Sequence, residues 1–213
     1  MKTNTIKELL ESIENLKRSE VAGLVDARIK EFWEAGKKPS SEIFKELCFC
    51  ILCANFNAER SIEIQRKIGD GFLTLSEFEL AVALRHLGHR FPNTRAKYVV
   101  QARRFKDSLR DFVGSFDDRN RLRDWLVQRV KGIGPKEASH FLRNIGYADF
   151  AILDFHIINI LARHNLIEKP KTLTMGKYLG IENMLRKIAV KTRLNLAELD
   201  LYLWYMETGK VLK

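Results

Sequence analysis

The chain has 213 residues, room for one or two compact domains with a sizeable core. Hydrophobic residues at 46% and charged residues at 30% make an ordinary globular balance, but a net charge of +10 is not ordinary and points to a polyanionic partner, either nucleic acid or an acidic membrane surface. No apolar run approaches the roughly 20 residues of a membrane span. Met1-Lys2-Thr3-Asn4-Thr5 also lacks a signal-peptide core, so a soluble, cytoplasmic protein is expected.

The chain then reads as one helix after another. Thr5 to Leu16 carries Ile6, Leu9, Leu10 and Ile13 at helical spacing, and Val21 to Ala35 continues with Leu24, Val25, Ile29 and Phe32. Gly36 to Ser41 is a break in which Ser40 or Ser41 can cap the next helix. That helix is apolar and contains Cys48, Cys50 and Cys53. The C-x-x-C spacing of Cys50 and Cys53 invites a zinc or redox reading, but no second pair or nearby histidine completes four ligands. Core packing is the expectation for all three.

Ala58 to Ile68 is the next helix, and Thr74 to Glu79 is a capping-box-like start for one reaching about Leu87. Gly88 to Asn93 is a loop, Thr94 to Phe105 returns to helix, and Phe112 to Phe116 reads as a loop. Asp117 or Asp118 caps a helix through Val130, Pro135 to about Asn144 forms another, and Gly146 is its stop. Asp154 begins a helix through about His164, and the last two lie near Ile181–Thr192 and Ala197–Thr208. With no alternating strand pattern, the predicted fold class is all-α.

Val130-Lys131-Gly132-Ile133-Gly134-Pro135-Lys136 stands out within this succession. Gly132 and Gly134 are read as supplying backbone freedom for a tight turn, and Pro135 suits a first helical position. A helix–Gly-x-Gly–helix turn exposes backbone N–H groups that can hold a phosphate without reading sequence. Gly-x-Gly alone fits a plain turn equally well. Lys136 then sits in the first helical turn, where the macrodipole disfavours a cation. Asp154 follows 18 residues later, enough for one helix and a return loop that bring both to one cleft. A lysine amine can attack an electrophilic carbon, and a carboxylate can steady developing positive charge or shuttle protons. The bland accounts are a solvated helix lysine and an aspartate that caps the helix starting at Phe155. A cap is itself a rigidly held carboxylate, so capping does not exclude catalysis.

Leu126 to His156, with the hairpin, Lys136 and Leu153-Asp154-Phe155-His156, resembles the core of the helix–hairpin–helix DNA glycosylases. Lysine at position 136 is what bifunctional glycosylase/AP lyases of that superfamily carry. The whole chain further resembles the small second class of 8-oxoguanine DNA glycosylase/AP lyases. The matching stretches are Ile51 to Phe56, Arg90 to Tyr98, Lys136 to Asn144 and Trp204 to Lys213.

The resemblance implies base excision repair of double-stranded DNA containing 8-oxoguanine. The damaged nucleotide is flipped out, the Lys136 amine displaces the base through a Schiff base, and β-elimination cuts the strand on the 3′ side, with Asp154 assisting. It implies no redox cofactor and no catalytic metal. A structural monovalent cation at the carbonyls of about Gln128, Val130 and Ile133 is the one ion expected. Base recognition falls to an aromatic pair at Phe91 and Trp204, to Asp200, and to the terminal Lys213, whose carboxylate would accept the N7–H of the lesion. Gly132 and Gly134 would hold the DNA backbone.

Superfamily architecture implies two helical lobes with the active site in the cleft between them. The middle lobe would span about 21–148 and end in the hairpin at about 118–145; the second would combine 1–20 with 149–213. A monomer is expected. Arg85, His86, His89, Arg90, Arg95, Lys97, Arg103 and Arg104 form a basic cluster, partly a solvated face and partly a source of phosphate contacts. Two rivals remain: an endonuclease III-like lyase acting on oxidised pyrimidines, and a non-catalytic hairpin module that only binds DNA. The iron–sulfur cluster of some superfamily relatives needs four C-terminal cysteines, and none occurs after Cys53.

Overall fold

The computed structural model describes residues 5–213; the reading of the first residues as lacking a signal-peptide core rests on Met1–Asn4, which lie outside them. Among the described residues there are only helices and connections, with no strand. In order they are α1 (Ile6–Lys17), α2 (Val21–Gly36), α3 (Ser40–Cys53), α4 (Ala58–Ile68), α5 (Gly71–Thr74), α6 (Glu77–His86) and α7 (Pro92–Ala102). A single 3-10 turn at Arg103–Phe105 precedes α8 (Leu109–Gly114), α9 (Arg119–Arg129), α10 (Pro135–Asn144), α11 (Phe155–Arg163), α12 (Met175–Thr192) and α13 (Leu196–Thr208). Among the described residues no helix is long and apolar enough to cross a membrane.

Two compact units emerge from the contacts: the segment up to Trp33 with Gly146–Lys213, and Glu34–Ile145. The first boundary differs from the expected one near residue 20. Val21, Val25 and Phe32 of α2 bury themselves with Leu201 and Tyr202 of α13, so most of α2 belongs with the chain ends. The rest of that unit packs Leu9 and Ile13 of α1 with Leu153, Ile157 and Leu161 around α11 and with Leu185, Ile188 and Leu203 of the last two helices.

The other unit is built on α3. Ile43, Phe44 and the whole run Leu47 to Cys53 are buried. A helix apolar all round must be covered on every side, and α4, α5, α7, α8 and α10 supply that cover. All three cysteines are buried, as core packing requires, and burial pushes the Cys48 thiol well above its ordinary range.

Most helix starts follow local chemistry. Ser76 and Glu79 form the expected capping box, with Ser76 N–H donating to the Glu79 carboxylate at 2.8 Å and Glu79 N–H to Ser76 Oγ at 3.2 Å. Asp118 accepts from Asn120 N–H at 2.8 Å at the start of α9. Other starts differ from expectation. Ser40 lies inside α3 behind an N-cap at Pro39, and its Oγ accepts instead from Arg110 N–H at 3.1 Å. The expected loop at Phe112 is part of α8, because Leu109 and Val113 are buried four residues apart and the Phe112 ring stacks on Trp125 at 4.0 Å. Helix α12 starts at Met175, capped by Thr174, six residues before the expected start. There Tyr178 is buried and donates its hydroxyl to Ala151 O at 2.6 Å, which outweighs the poor helix propensity of Gly176 and Gly180.

Candidate active site

The hairpin between α9 and α10 carries the candidate nucleophile. Gly132 has φ of 89°, a conformation that side-chain-bearing residues rarely adopt, and it lies flush against the Tyr98 ring, where a Cβ would collide. Gly134 differs from expectation: at φ −110° and ψ −170° it is plain extended backbone, so conformational freedom is not its purpose. Its N–H donates to Glu137 Oε2 at 3.0 Å, which caps α10 from within.

Lys136 follows directly. Its side chain keeps 26% of its exposure, and the amine pairs with Glu137 Oε1 at 2.9 Å. A cation at a helix start is unfavourable, and Glu137 offsets that with both carboxylate oxygens, one on the backbone and one on the amine. Sequence reasoning missed Glu137, although its position three residues after the N-cap is a capping signal. The amine is therefore held, partly desolvated, at the mouth of a helix whose N–H groups attract anions.

Carbonyl oxygens around the turn are shared out. Arg95 donates to Gly132 O at 3.5 Å and Arg104 to Arg129 O at 2.8 Å. The oxygens of Gln128, Val130 and Ile133, the expected cation ligands, are neutral hard donors suited to a monovalent ion. No group of three or more His, Cys, Asp or Glu that could hold a metal occurs among the described residues.

Phe91 lies in the same unit, in the loop before α7. Arg90 and Arg95 place their guanidinium carbons 5.0 and 5.8 Å from its ring centroid, within cation–π range. The basic cluster around it divides in two. His89 and Arg95 are buried, at 4% and 6% exposure, and Arg103 donates to Phe72 O at 2.8 Å. Arg85, His86, Arg90 and Lys97 remain exposed and available to phosphate.

Asp154 belongs to the other unit. It caps α11, its Oδ1 accepting from Ile157 N–H at 2.9 Å. The strap leading to it is pinned by α12: Ala151 N–H donates to Glu182 Oε2 at 3.1 Å while Tyr178 holds the carbonyl of the same residue. Glu182 is 3% exposed, so this is a fixed anchor, and no sequence signal reveals it. Around Asp154 the unit gathers other expected residues. Trp204 meets His156 edge-on at 4.6 Å between centroids, and Asp200, buried, precedes Trp204 by one helical turn on α13. The Trp204 indole nitrogen is buried without a hydrogen-bond partner. Lys213 is partly buried at the end of the extension past Gly209. The structure thus groups Gly132, Gly134, Lys136 and Phe91 in one unit and Asp154, Asp200, Trp204 and Lys213 in the other.

Comparisons with known proteins show the family. The family model for 8-oxoguanine DNA glycosylase matches residues 25–194. The 8-oxoguanine DNA glycosylase/AP lyase of Methanocaldococcus jannaschii is 56% identical over 206 residues, covering 96% of this chain and 99% of the relative. That of Korarchaeum cryptofilum is 49% identical over 98% of this chain and 99% of its own length. Among solved structures, the M. jannaschii enzyme in complex with a 15mer DNA containing 8-oxoguanine superimposes with a TM-score of 0.94, covering 96% of this chain and 99% of that one. The Thermotoga maritima 8-oxoguanine DNA glycosylase, 44% identical, gives 0.91 over 97% and 99% of the two chains. The chain belongs to the 8-oxoguanine DNA glycosylase family.

Proposed function

We propose that this protein is a bifunctional DNA glycosylase/AP lyase of base excision repair, which removes 8-oxoguanine from double-stranded DNA and then cuts the strand. The observation that carries this reading is Lys136, a partly buried amine at the start of α10 behind a Gly-x-Gly hairpin, in a chain 56% identical to an 8-oxoguanine DNA glycosylase/AP lyase.

The chemistry follows from the groups present. The lesion nucleotide leaves the base stack, since its sugar carbon cannot be reached inside the duplex. The neutral Lys136 amine attacks C1′; the N-glycosidic bond breaks and the base departs with its electron pair and a proton. Opening of the sugar ring gives an iminium on Lys136. Loss of a C2′ proton and cleavage of the C3′–O bond then cut the strand on the 3′ side, and hydrolysis frees the lysine. Asp154, rigid as a helix cap, stabilises the cationic sugar and carries protons.

Phe91 and Trp204 stack on the lesion, while Asp200 and Lys213 discriminate it from guanine. Gly132 and Gly134 seat the hairpin on the DNA backbone, and a monovalent cation at Gln128, Val130 and Ile133 steadies the turn. The enzyme works as a cytoplasmic monomer on chromosomal DNA.

Duplexes carrying one 8-oxoguanine, one guanine or one oxidised pyrimidine at the same site separate the readings. Release of 8-oxoguanine with 3′-side cleavage supports the proposal. Preference for the pyrimidine lesion would favour the endonuclease III-like alternative, and binding without cleavage would reduce the protein to a hairpin module.

A further inference from the structure

His89 is the one histidine of the Phe91 loop whose two ring nitrogens both engage backbone. Nε2 faces Leu52 O at 3.1 Å and Nδ1 faces Phe91 N–H at 3.1 Å. A carbonyl can only accept and an N–H can only donate, so the ring is fixed as the neutral tautomer with its proton on Nε2. Its face lies against the Phe56 ring at 4.2 Å, and its own backbone N–H donates to Leu84 O at 2.9 Å. The imidazole therefore ties three segments together: the end of α3, the turn before α4 and the loop carrying Phe91.

Arg95 completes the frame from α7. It donates to Ala54 O, two residues past Leu52, and to Gly132 O in the hairpin, and its guanidinium also lies beside the Phe91 ring. Phe91 itself is only half-buried, so its position is set from behind by these two side chains.

We propose that His89 is a positioning residue for lesion recognition, holding the Phe91 backbone through Nδ1 so that the ring is presented to the flipped base. This rests on the reading of Phe91 as a base-stacking residue. Cleavage of a pre-formed abasic site has no base to stack, so the two activities separate positioning from general structure.

The test measures single-turnover excision of 8-oxoguanine and cleavage of a pre-formed abasic site for His89→Leu, His89→Gln and His89→Asn. Leu removes both hydrogen bonds. Gln can keep the donor to Leu52, and Asn can place its Oδ1 where Nδ1 accepts from Phe91. The expected result is that Leu and Gln lose about ten-fold more excision than abasic-site cleavage, the scale of one buried hydrogen bond. Asn recovers most of that loss, and His89→Leu adds no further loss of excision to Phe91→Ala. Asn and Gln each keep one bond, so their comparison stands even where Leu folds poorly. Equal loss of both activities, Asn no better than Gln, or additive losses with Phe91→Ala would overturn the proposal. Wild-type excision of 8-oxoguanine checks the parent reading separately: a wild type inactive on the lesion overturns both, whereas an active wild type with unsplit variants overturns only the role of His89.

Discussion

Glu137 uses its two carboxylate oxygens for two different tasks, accepting Gly134 N–H at 3.0 Å and pairing with the Lys136 amine at 2.9 Å. The same group thus builds the start of α10 and holds the candidate nucleophile. Glu137→Ala loses both contacts and is expected to cost about 1 kcal/mol of stability, the usual scale of a lost cap. Glu137→Gln retains an acceptor for Gly134 and recovers most of it. Glu137→Gln also removes the ion pair that occupies the Lys136 amine, and it should form the covalent DNA complex faster than wild type. Urea denaturation and timed borohydride trapping check the two effects independently.

Tyr178 and Glu182 hold Ala151 from both sides, three residues before Asp154. Tyr178→Phe leaves the buried Ala151 carbonyl without its hydroxyl donor. A loss of about 1–2 kcal/mol in unfolding free energy is expected, with slower turnover of abasic-site DNA but little change in duplex affinity. Stability unchanged by the substitution would mean that α12 does not fix the strap.

Burial and the Arg95 guanidinium hold the His89 imidazole below the ordinary histidine range, with the hydrogen bond to Leu52 opposing them. Arg60 beyond the Phe56 ring and Arg90 next in the chain add further positive charge. A histidine depressed in the folded state contributes stability above its unfolded value of about 6.5, and loses it as pH falls from there toward the folded value. The melting temperature of wild type should therefore drop between pH 7 and pH 5.5 by more than that of His89→Asn, which has no ring to titrate. Parallel curves for the two proteins would contradict this.

Much of this was legible before the structure. The bounds of α10, the capping box at Ser76 and Glu79, and Asp154 as the cap of α11 are local signals, written within four residues of sequence. Long-range contacts were not. His89 reads as one more cation of a basic loop, yet its partner Leu52 lies 37 residues away. Nothing local marks Glu182, yet it reaches Ala151 across 31 residues. Gly132 and Gly134 look alike in sequence, but only Gly132 turns left-handed, and its contact with Tyr98 is visible only in three dimensions.

The central claim is that Lys136 is the nucleophile, and covalent trapping tests it most directly. Protein incubated with a duplex containing one 8-oxoguanine and sodium borohydride should yield a stable protein–DNA adduct, absent in Lys136→Gln although that variant still binds the duplex. No adduct from wild type, or an equal adduct from Lys136→Gln, would contradict the mechanism.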